Sequence, residues 1–454
     1  MINRLYLENF RAFEKLDIPF SKINCFFGPN NSGKSAILSA INVLSQTLDS
    51  SDRDVPLLLN GKFEDLGTYL DAVYEHDLNR NIKIALELAE EVPSLGDTPL
   101  SARIEVLYRY RKQRREIGIS GIQIHSPIDT FLLKTRVSER GSSQIIEGVS
   151  SEYPDIKIGR RSSGTVVTDH FIPHINPSLI RPWFARRRYR KDAMKKHEAY
   201  RDLDFDLYRA SRLITNQLSK LEFIGPFRSR PLRTYIFSGE APSSVGASGE
   251  KCVDILATDQ SRRKGKRMNI AQHVSNWLQE SEIAKKIAVF PLTDRHFEIR
   301  VSHIHTEETV NLADSGFGIS QILPILVAGY FIPKNSTFII EEPEIHLHPK
   351  AQSEIGTFLR DISQKNVQIF VETHSEHLLL RLQRHIASGE LKHEDVNVFY
   401  VYSEEKEKSK IEKLIPIGLD GYFTQEWPQG FFPERLTEAE QIAKQSYIRT
   451  PKIK

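Results

Sequence analysis

Apolar and polar positions along the chain fall into short strand-like runs separated by stretches of helical spacing. Leu5 and Leu7 share one face of a strand that begins almost at Met1, with no leader pattern ahead of it. Ile23–Phe27 is an apolar run of strand length, and 36–44 follows with helical spacing. Residues 49–54 break the pattern as a loop. Strand-like runs return at 82–88 and 102–108, while 140–165 is rich in Ser, Gly and charge and reads as loops or weak strands. The spacing then predicts a helix over 207–221, turns from 225 to 249, a helix over 269–280 and strands near Ala288 and Phe297. From 310 to 416 the pattern is a compact α/β block, with apolar strands over 337–340 and 367–371. Continuous apolar strands of this kind belong to a sheet covered on both faces. There is no internal repeat, and no stretch sustains three or four heptads.

This patterning divides the 454 residues into an N-terminal lobe over 1–140 and an inserted, basic and partly helical region over 141–222. The main α/β part follows over 223–416, and an aromatic tail with a helix over 417–454. The length is ample for a large core. Net charge is only +3 and names no partner. The two cysteines, Cys25 and Cys252, offer neither a disulfide framework nor metal spacing, which suits a reducing cytoplasm. Cys25 reads as a small core residue. No apolar run approaches the roughly 18 residues of a membrane span, so no membrane partner is expected.

Charge matters locally. Arg181, Arg186, Arg187, Arg188, Arg190, Lys191, Lys195, Lys196 and Arg201 interleave with Trp183, Phe184, Tyr189 and Tyr200. Such a stretch suits phosphates and stacked bases, an acidic partner protein, or a solvated face. Residues 111–115 and 262–267 form two further basic clusters, so DNA contact through these groups is one reading. Asp202, Asp204 and Asp206 alternate, but without evident partner ligands they fit a solvated strand face or helix start better than a metal site.

The sharpest chemistry is the stretch Gly28-Pro-Asn-Asn-Ser-Gly33-Lys34-Ser35, which fits the phosphate-binding pattern G-x-x-x-x-G-K-[ST]. An apolar strand precedes it and a helix follows, as the motif requires. Backbone N–H groups from Asn30, Asn31, Ser32 and Gly33 would wrap the phosphates at the positive end of that helix. Lys34 would reach the β- and γ-phosphates of ATP, and the Ser35 hydroxyl would bind Mg²⁺. A second strand runs into Glu341-Glu342-Pro343-Glu344. One carboxylate there can help hold Mg²⁺ and its neighbour can polarise the attacking water, two tasks that phosphoryl transfer needs side by side. His374, after the strand over 367–371, can sense the γ-phosphate by a hydrogen bond. Ser315, Gly316, Gly318, Ser320 and Gln321 precede a helix starting near Ile322 and form another candidate anion site.

The order of these motifs resembles the ABC-type ATPase head, an α/β fold with a mixed sheet and flanking helices, and within it the SMC/RecF/OLD-like branch. The opening from Ile2 through Arg11 and Phe13 to the phosphate loop is typical of that branch. The resemblance implies that Glu341 takes the magnesium role, Glu342 the catalytic-base role and His374 the switch role. It also implies that 315–321 is the signature touching ATP held by a second subunit, although its sequence departs from Leu-Ser-Gly-Gly-Gln. The Q-loop glutamine is unassigned, with Gln46 and Gln123 as candidates. The absence of a long coiled coil separates the chain from SMC proteins. The short stretch after His374 leaves no room for the Toprim nuclease of OLD proteins. Phe223-Ile-Gly-Pro-Phe-Arg228, Val245-Gly-Ala-Ser-Gly-Glu250 and the run from Gly421 through Trp427-Pro-Gln-Gly-Phe-Phe432 resemble the PtuA-type ATPase subunits of Septu anti-phage systems. Those work with a separate HNH nuclease. The resemblance therefore implies a homo-oligomer, at least a dimer, and a nuclease partner. A RecF-like DNA-maintenance ATPase and the ATPase of a PARIS-type system with a Toprim effector are the alternatives.

Overall fold

The computed structural model describes residues 1–90, 101–126, 130–137, 143–150, 166–175, 191–237, 241–262, 267–306, 308–404 and 408–427, together with 239, 265 and a few positions between 438 and 444. Its centre is a six-stranded sheet. In sheet order these strands are Leu221–Ile224 (β11), Thr337–Glu341 (β16), Gln368–Glu372 (β17), Ile23–Phe27 (β3), Val396–Glu404 (β18) and Lys408–Leu414 (β19), numbered along the chain. All neighbours run parallel except the β18–β19 pair. Every residue of β3, β16 and β17 is buried, as expected of parallel strands covered on both faces.

Period-two alternation assigns each face to its own core. Phe26, Ile339, Phe370 and Phe399 point into one cluster, while Cys25, Phe27, Ile340, Val371 and Val398 point into the other. Five helices cover the second face: Cys252–Ser261 (α4), Ile270–Glu280 (α5), Phe317–Phe331 (α6), Pro349–Ser363 (α7) and Glu376–Ala387 (α8). The first face packs on Lys34–Leu48 (α1) and on a seven-stranded antiparallel sheet. That sheet runs, in chain order, through Ile2–Phe10 (β1), Phe13–Pro19 (β2), Ile82–Ala89 (β4), Ser101–Arg111 (β5), Glu116–His125 (β6), Thr130–Val137 (β7) and Ser143–Ser150 (β8). Two small sheets, Val166–Asp169 (β9) with Ile172–Ile175 (β10), and Tyr235–Ile236 (β12) with Lys286–Pro291 (β13), His296–Ser302 (β14) and Thr309–Asn311 (β15), and the short helix Tyr69–Ala72 (α2) complete the numbering. The mixed α/β architecture expected from the sequence is present, and no long coiled coil occurs among the described residues.

Three local readings need correction. The helix expected over 207–221 is Lys191–Ser219 (α3), so it starts far earlier, and Leu221 already belongs to β11. Asp202, Asp204 and Asp206 are therefore interior to a helix, where a spacing of two turns successive side chains to different faces. The helix expected near Ile322 starts at Phe317, which puts Gly318, Ser320 and Gln321 inside it. The basic residues from 181 to 190 lie outside the described residues. The cluster at 111–115 is the tip of the β5–β6 hairpin, where Arg111 pairs with Glu116 at 2.9 Å. No helix among the described residues is long and apolar enough to cross a membrane.

Candidate nucleotide site

The parallel register brings the C-terminal ends of β3, β17 and β16 to one sheet edge, where an α/β sheet presents its ligand groups. The loop from Gly28 leaves β3 there. Gly28 has φ +141°, and a Cβ on it would stand 1.8 Å from the Val401 carbonyl oxygen, so only glycine fits against β18. Asn31 and Gly33 also take positive φ, closing the loop before α1. No side chain caps α1 and its first turn has no acidic residue, which leaves its N-terminal end free to face an anion. Asn30 and Asn31 are exposed. Ser32 is buried, and among the described residues its hydroxyl has no hydrogen-bond partner.

Lys34 is 3% exposed. Its ammonium donates to the carbonyls of Gly28 (2.9 Å) and Pro29 (2.8 Å) and stands 3.6 Å from Glu372. Ser35 donates to the same Glu372 carboxylate at 2.8 Å. Burial pulls the Lys34 ammonium down and pushes the Glu372 carboxyl up. Glu341 is the strand neighbour of Glu372 and nine-tenths buried. Burial, then the charges of Glu372, Glu64 and Glu342, push it well above the usual carboxylate range. Such crowding of buried carboxylates favours protonation unless a cation arrives.

Glu342 follows the strand with φ +46°, a left-handed turn that costs a non-glycine residue on the order of 1 kcal/mol. Its N–H donates to the Glu372 carbonyl at 2.8 Å. The next carboxylate, Glu344, accepts from the Thr373 hydroxyl at 2.8 Å and from the His374 N–H. His374 is thereby tied to the Glu-Glu-Pro-Glu turn. Its imidazole is exposed by area, yet surrounding protein and then the Lys34 charge hold it below its ordinary pKa. Ser375 caps α8, accepting from Leu378 N–H at 3.2 Å.

The structure brings together Lys34, Ser35, Glu341, Glu342 and His374. It does not bring 315–321 to them: among the described residues no hydrogen bond or ion pair joins that segment to the phosphate loop. Ser315 and Ser320 donate to carbonyls of their own turn, at 2.7 and 2.9 Å. Gly316 faces open space, and Phe317 beside it is 68% exposed. Among the described residues no hydrogen bond joins either candidate Q-loop glutamine to the phosphate loop or to Glu341, Glu342 or His374. Gln46 holds the loop carrying Leu58, Phe63 and Glu64, and Gln123 sits within β6.

Four groups at this edge escaped the sequence reading. Glu372, Glu344 and Arg228 stand within quoted motifs, and the position of Glu372 at the end of β17 was the available signal for the first. Arg228 donates to the carbonyls of Glu342 (3.0 Å) and Glu341. Glu64, which accepts from Asn42 at 2.8 Å, comes from an irregular loop that carried no signal.

Hard oxygen donors from Ser35, Glu341 and Glu372 suit Mg²⁺, as does the buried negative charge around them. Among the described residues no group of three or more metal-binding side chains forms a cage. Mg²⁺ characteristically takes one or two carboxylates and completes its shell with phosphates and water.

Residues 1–221 and 241–379, more than half of the chain, match the AAA ATPase domain family AAA_15. The chain belongs to the AAA_15 family. By family this AAA_15 chain is a nucleotide-binding ATPase domain. Residues 391–442 match a second family described as a protein of unknown function, DUF3696. No curated protein matches the chain significantly. Among solved structures, the AAA_15 chain is similar to an SmcHead bound to the C-winged helix domain of ScpA, with 12% identity, 90% of this chain and 97% of that one covered, and a TM-score of 0.42. A Smc head with an extended coiled coil, bound to a ScpA domain derived from Pyrococcus furiosus, shares 12% identity over 97% of this chain and 99% of its own, at 0.43. The SMC head domain from Thermotoga maritima shares 13% over 92% and 99%, at 0.35.

Proposed function

We propose that this AAA_15 chain binds ATP with Mg²⁺ at the β3–β17–β16 edge and hydrolyses it. The observation that carries this reading is the convergence of Lys34, Ser35, Glu341, Glu342 and Glu372 on one sheet edge beside an uncapped helix N-terminus. The backbone of 30–33, with the orphaned Ser32 hydroxyl, takes the phosphates, and Lys34 offsets their charge. Ser35 and Glu341 hold Mg²⁺, which neutralises charge on the phosphates. Glu342, turned off the strand line, orients the attacking water, and His374 contacts the γ-phosphate.

Two variants test this. Lys34→Ala should fold and lose most ATP affinity by calorimetry; unchanged affinity sinks the assignment. Glu342→Gln should keep ATP–Mg²⁺ binding and lose most turnover. Parental turnover in Glu342→Gln, with Glu341→Gln inactive, reverses the two roles.

We further infer that the site is completed by a second copy, whose 315–321 segment meets the bound ATP. In support, this segment has an open glycine and an exposed Phe317, and no bond to its own phosphate loop. The four-part division at 140, 222 and 416 accompanies this reading, as does a cytoplasmic setting. The biological role we favour is regulation of a separate HNH nuclease in a Septu-like defence complex. The resemblance of the tail supports it, and Trp427 of that tail packs on Phe27 of β3, at 5.8 Å between ring centroids. Co-purification and phage challenge with and without the genomic neighbour test the role. Protection by the chain alone refutes it, and a neighbourhood of replication genes favours the RecF-like alternative. Loss of DNA binding on neutralising 186–190 and 111–115 tests the basic clusters.

A further inference from the structure

The turn 225–228 leaves β11 at the same sheet edge as the carboxylates, and Arg228 folds inward there. Only 7% of it is exposed. Among the described residues its guanidinium pairs with no carboxylate oxygen. It donates from one Nη to the Glu342 carbonyl at 3.0 Å and from the other to the Glu341 carbonyl, and its Nε has no partner among the described residues. A planar fork is the side chain suited to grip two successive carbonyls. Burying a guanidinium is costly, and here burial pulls its pKa down to about 10 against the attraction of Glu344, Glu342 and Glu341.

The gripped residue is the one with strained backbone. Glu342 holds φ +46°, its N–H fixed by the Glu372 carbonyl at 2.8 Å and its C=O by Arg228. Such a conformation persists only where its surroundings fix it from more than one side. Five residues further along, Arg233 makes a two-pronged pair with Asp314, at 2.8 and 2.6 Å, and its carbonyl accepts from Asn311 Nδ2 at 2.8 Å. Asp314 directly precedes Ser315. One short segment therefore holds the Glu342 bend at one end and the 311–314 turn that leads into α6 at the other.

We propose that Arg228 is a positioning residue for hydrolysis, fixing the backbone bend that aims Glu342, and that 228–233 couples this bend to the 315–321 segment. The inference rests on the reading of Glu342 above. Whatever displaces the α6 start, a second copy's nucleotide included, pulls on Arg233 and so on the Glu342 carbonyl.

The test uses the full chain. Arg228→Lys keeps the positive charge but cannot span both carbonyls. It should fold, bind ATP within about threefold of the parent by calorimetry, and lose at least tenfold in kcat with little change in KM, the pattern of an interaction made for the transition state. Arg233→Ala and Asp314→Ala break an exposed pair of small worth to stability, so they should fold normally and still slow turnover. The reversed pair Arg233→Asp with Asp314→Arg should recover most of the rate. Parental kcat in Arg228→Lys, or parallel loss of affinity and turnover, overturns the positioning role. Failure of that variant to fold shifts the decision to the Arg233–Asp314 pair: unchanged turnover in both of its alanine variants overturns the coupling and the proposal with it. Glu342→Gln turning over at the parental rate overturns the functional reading itself, whatever Arg228→Lys does. A slow Glu342→Gln beside a fast Arg228→Lys overturns only this inference.

Discussion

Glu222 on β11 is buried, accepting the Val245 N–H at 2.8 Å, and burial pushes its carboxyl from the ordinary 4.5 up to about 7. The folded chain therefore holds this proton more tightly than the unfolded chain. Its contribution to stability is full below pH 4.5 and falls as pH rises through 7, by up to about 3 kcal/mol. Glu222→Gln keeps an acceptor oxygen without the charge, so its melting temperature should exceed the parent's at pH 8 and converge with it towards pH 4.5. A gap that is constant across that range would show the parent's carboxylate to be ionised throughout. Gly28 makes a sharper demand. Since its Cβ would meet the Val401 carbonyl, Gly28→Ala should displace the loop and weaken ATP binding at least tenfold by calorimetry, while α1 and the sheets persist by circular dichroism. At this scale the sequence displayed Lys34, Ser35, Glu341 and His374, because each stands in a dense motif at a strand end. Glu64 was hidden, because its role depends on which chain segments meet at the edge, and Arg228, although it ends the quoted 223–228 turn, gave no local sign of its grip on the 341–342 carbonyls.

Among the elements, β3, β16 and β17 were legible as apolar runs of strand length, and the structure buries all of them completely. The start of α6 was not. Ser315-Gly-Phe-Gly318 has turn chemistry, and the helix beyond is apolar on all sides, so no change of periodicity marks where it begins. The early start of α3 was masked by charge: its first turns carry Lys191, Asp192, Lys195, Lys196 and Glu198, with no apolar periodicity to mark where the helix begins. Apolar saturation also makes α6 tightly packed. A Cβ at Gly329 would stand 2.3 Å from the Phe358 ring of α7. Gly329→Val should destabilise by about 1–3 kcal/mol in urea titrations through overpacking, and Phe358→Leu in the same chain should recover part of it. A neutral Gly329→Val would mean that the two helices separate at little cost.

Across the described residues, two cores share one central sheet, and Trp427, with Phe423 beside it, packs on the phosphate-loop strand. Trp427 is 9% exposed, its ring centroid 5.7 Å from Tyr400 and 5.2 Å from Phe423 as well as close to Phe27. Trp427→Ala should cost about 3–5 kcal/mol and lower ATP affinity, since it uncovers the strand that carries the loop. A stable Trp427→Ala with parental affinity would mean that the tail rests on the head without bracing it. The proposed completion of the site by a second copy predicts that specific ATPase activity rises with protein concentration through the dimerisation range measured by sedimentation. Activity per chain that stays constant on dilution to monomer contradicts it.

The sheet order also sets a timetable. β3 lies between β17 and β18, so the strand bearing the phosphate loop pairs with partners translated several hundred residues later. At ribosomal speeds of about 5–20 residues per second, that wait is on the order of tens of seconds. Through most of its own synthesis the nascent chain holds a complete phosphate-loop motif with no sheet to mount it on, and the apolar strand behind it stays unpaired. Ribosome-stalled chains ending before Gln368 should fail to retain ATP analogue and should engage holding chaperones, whereas chains long enough to expose β18 should do the reverse. On this order of synthesis the nucleotide site should be among the last features to be completed.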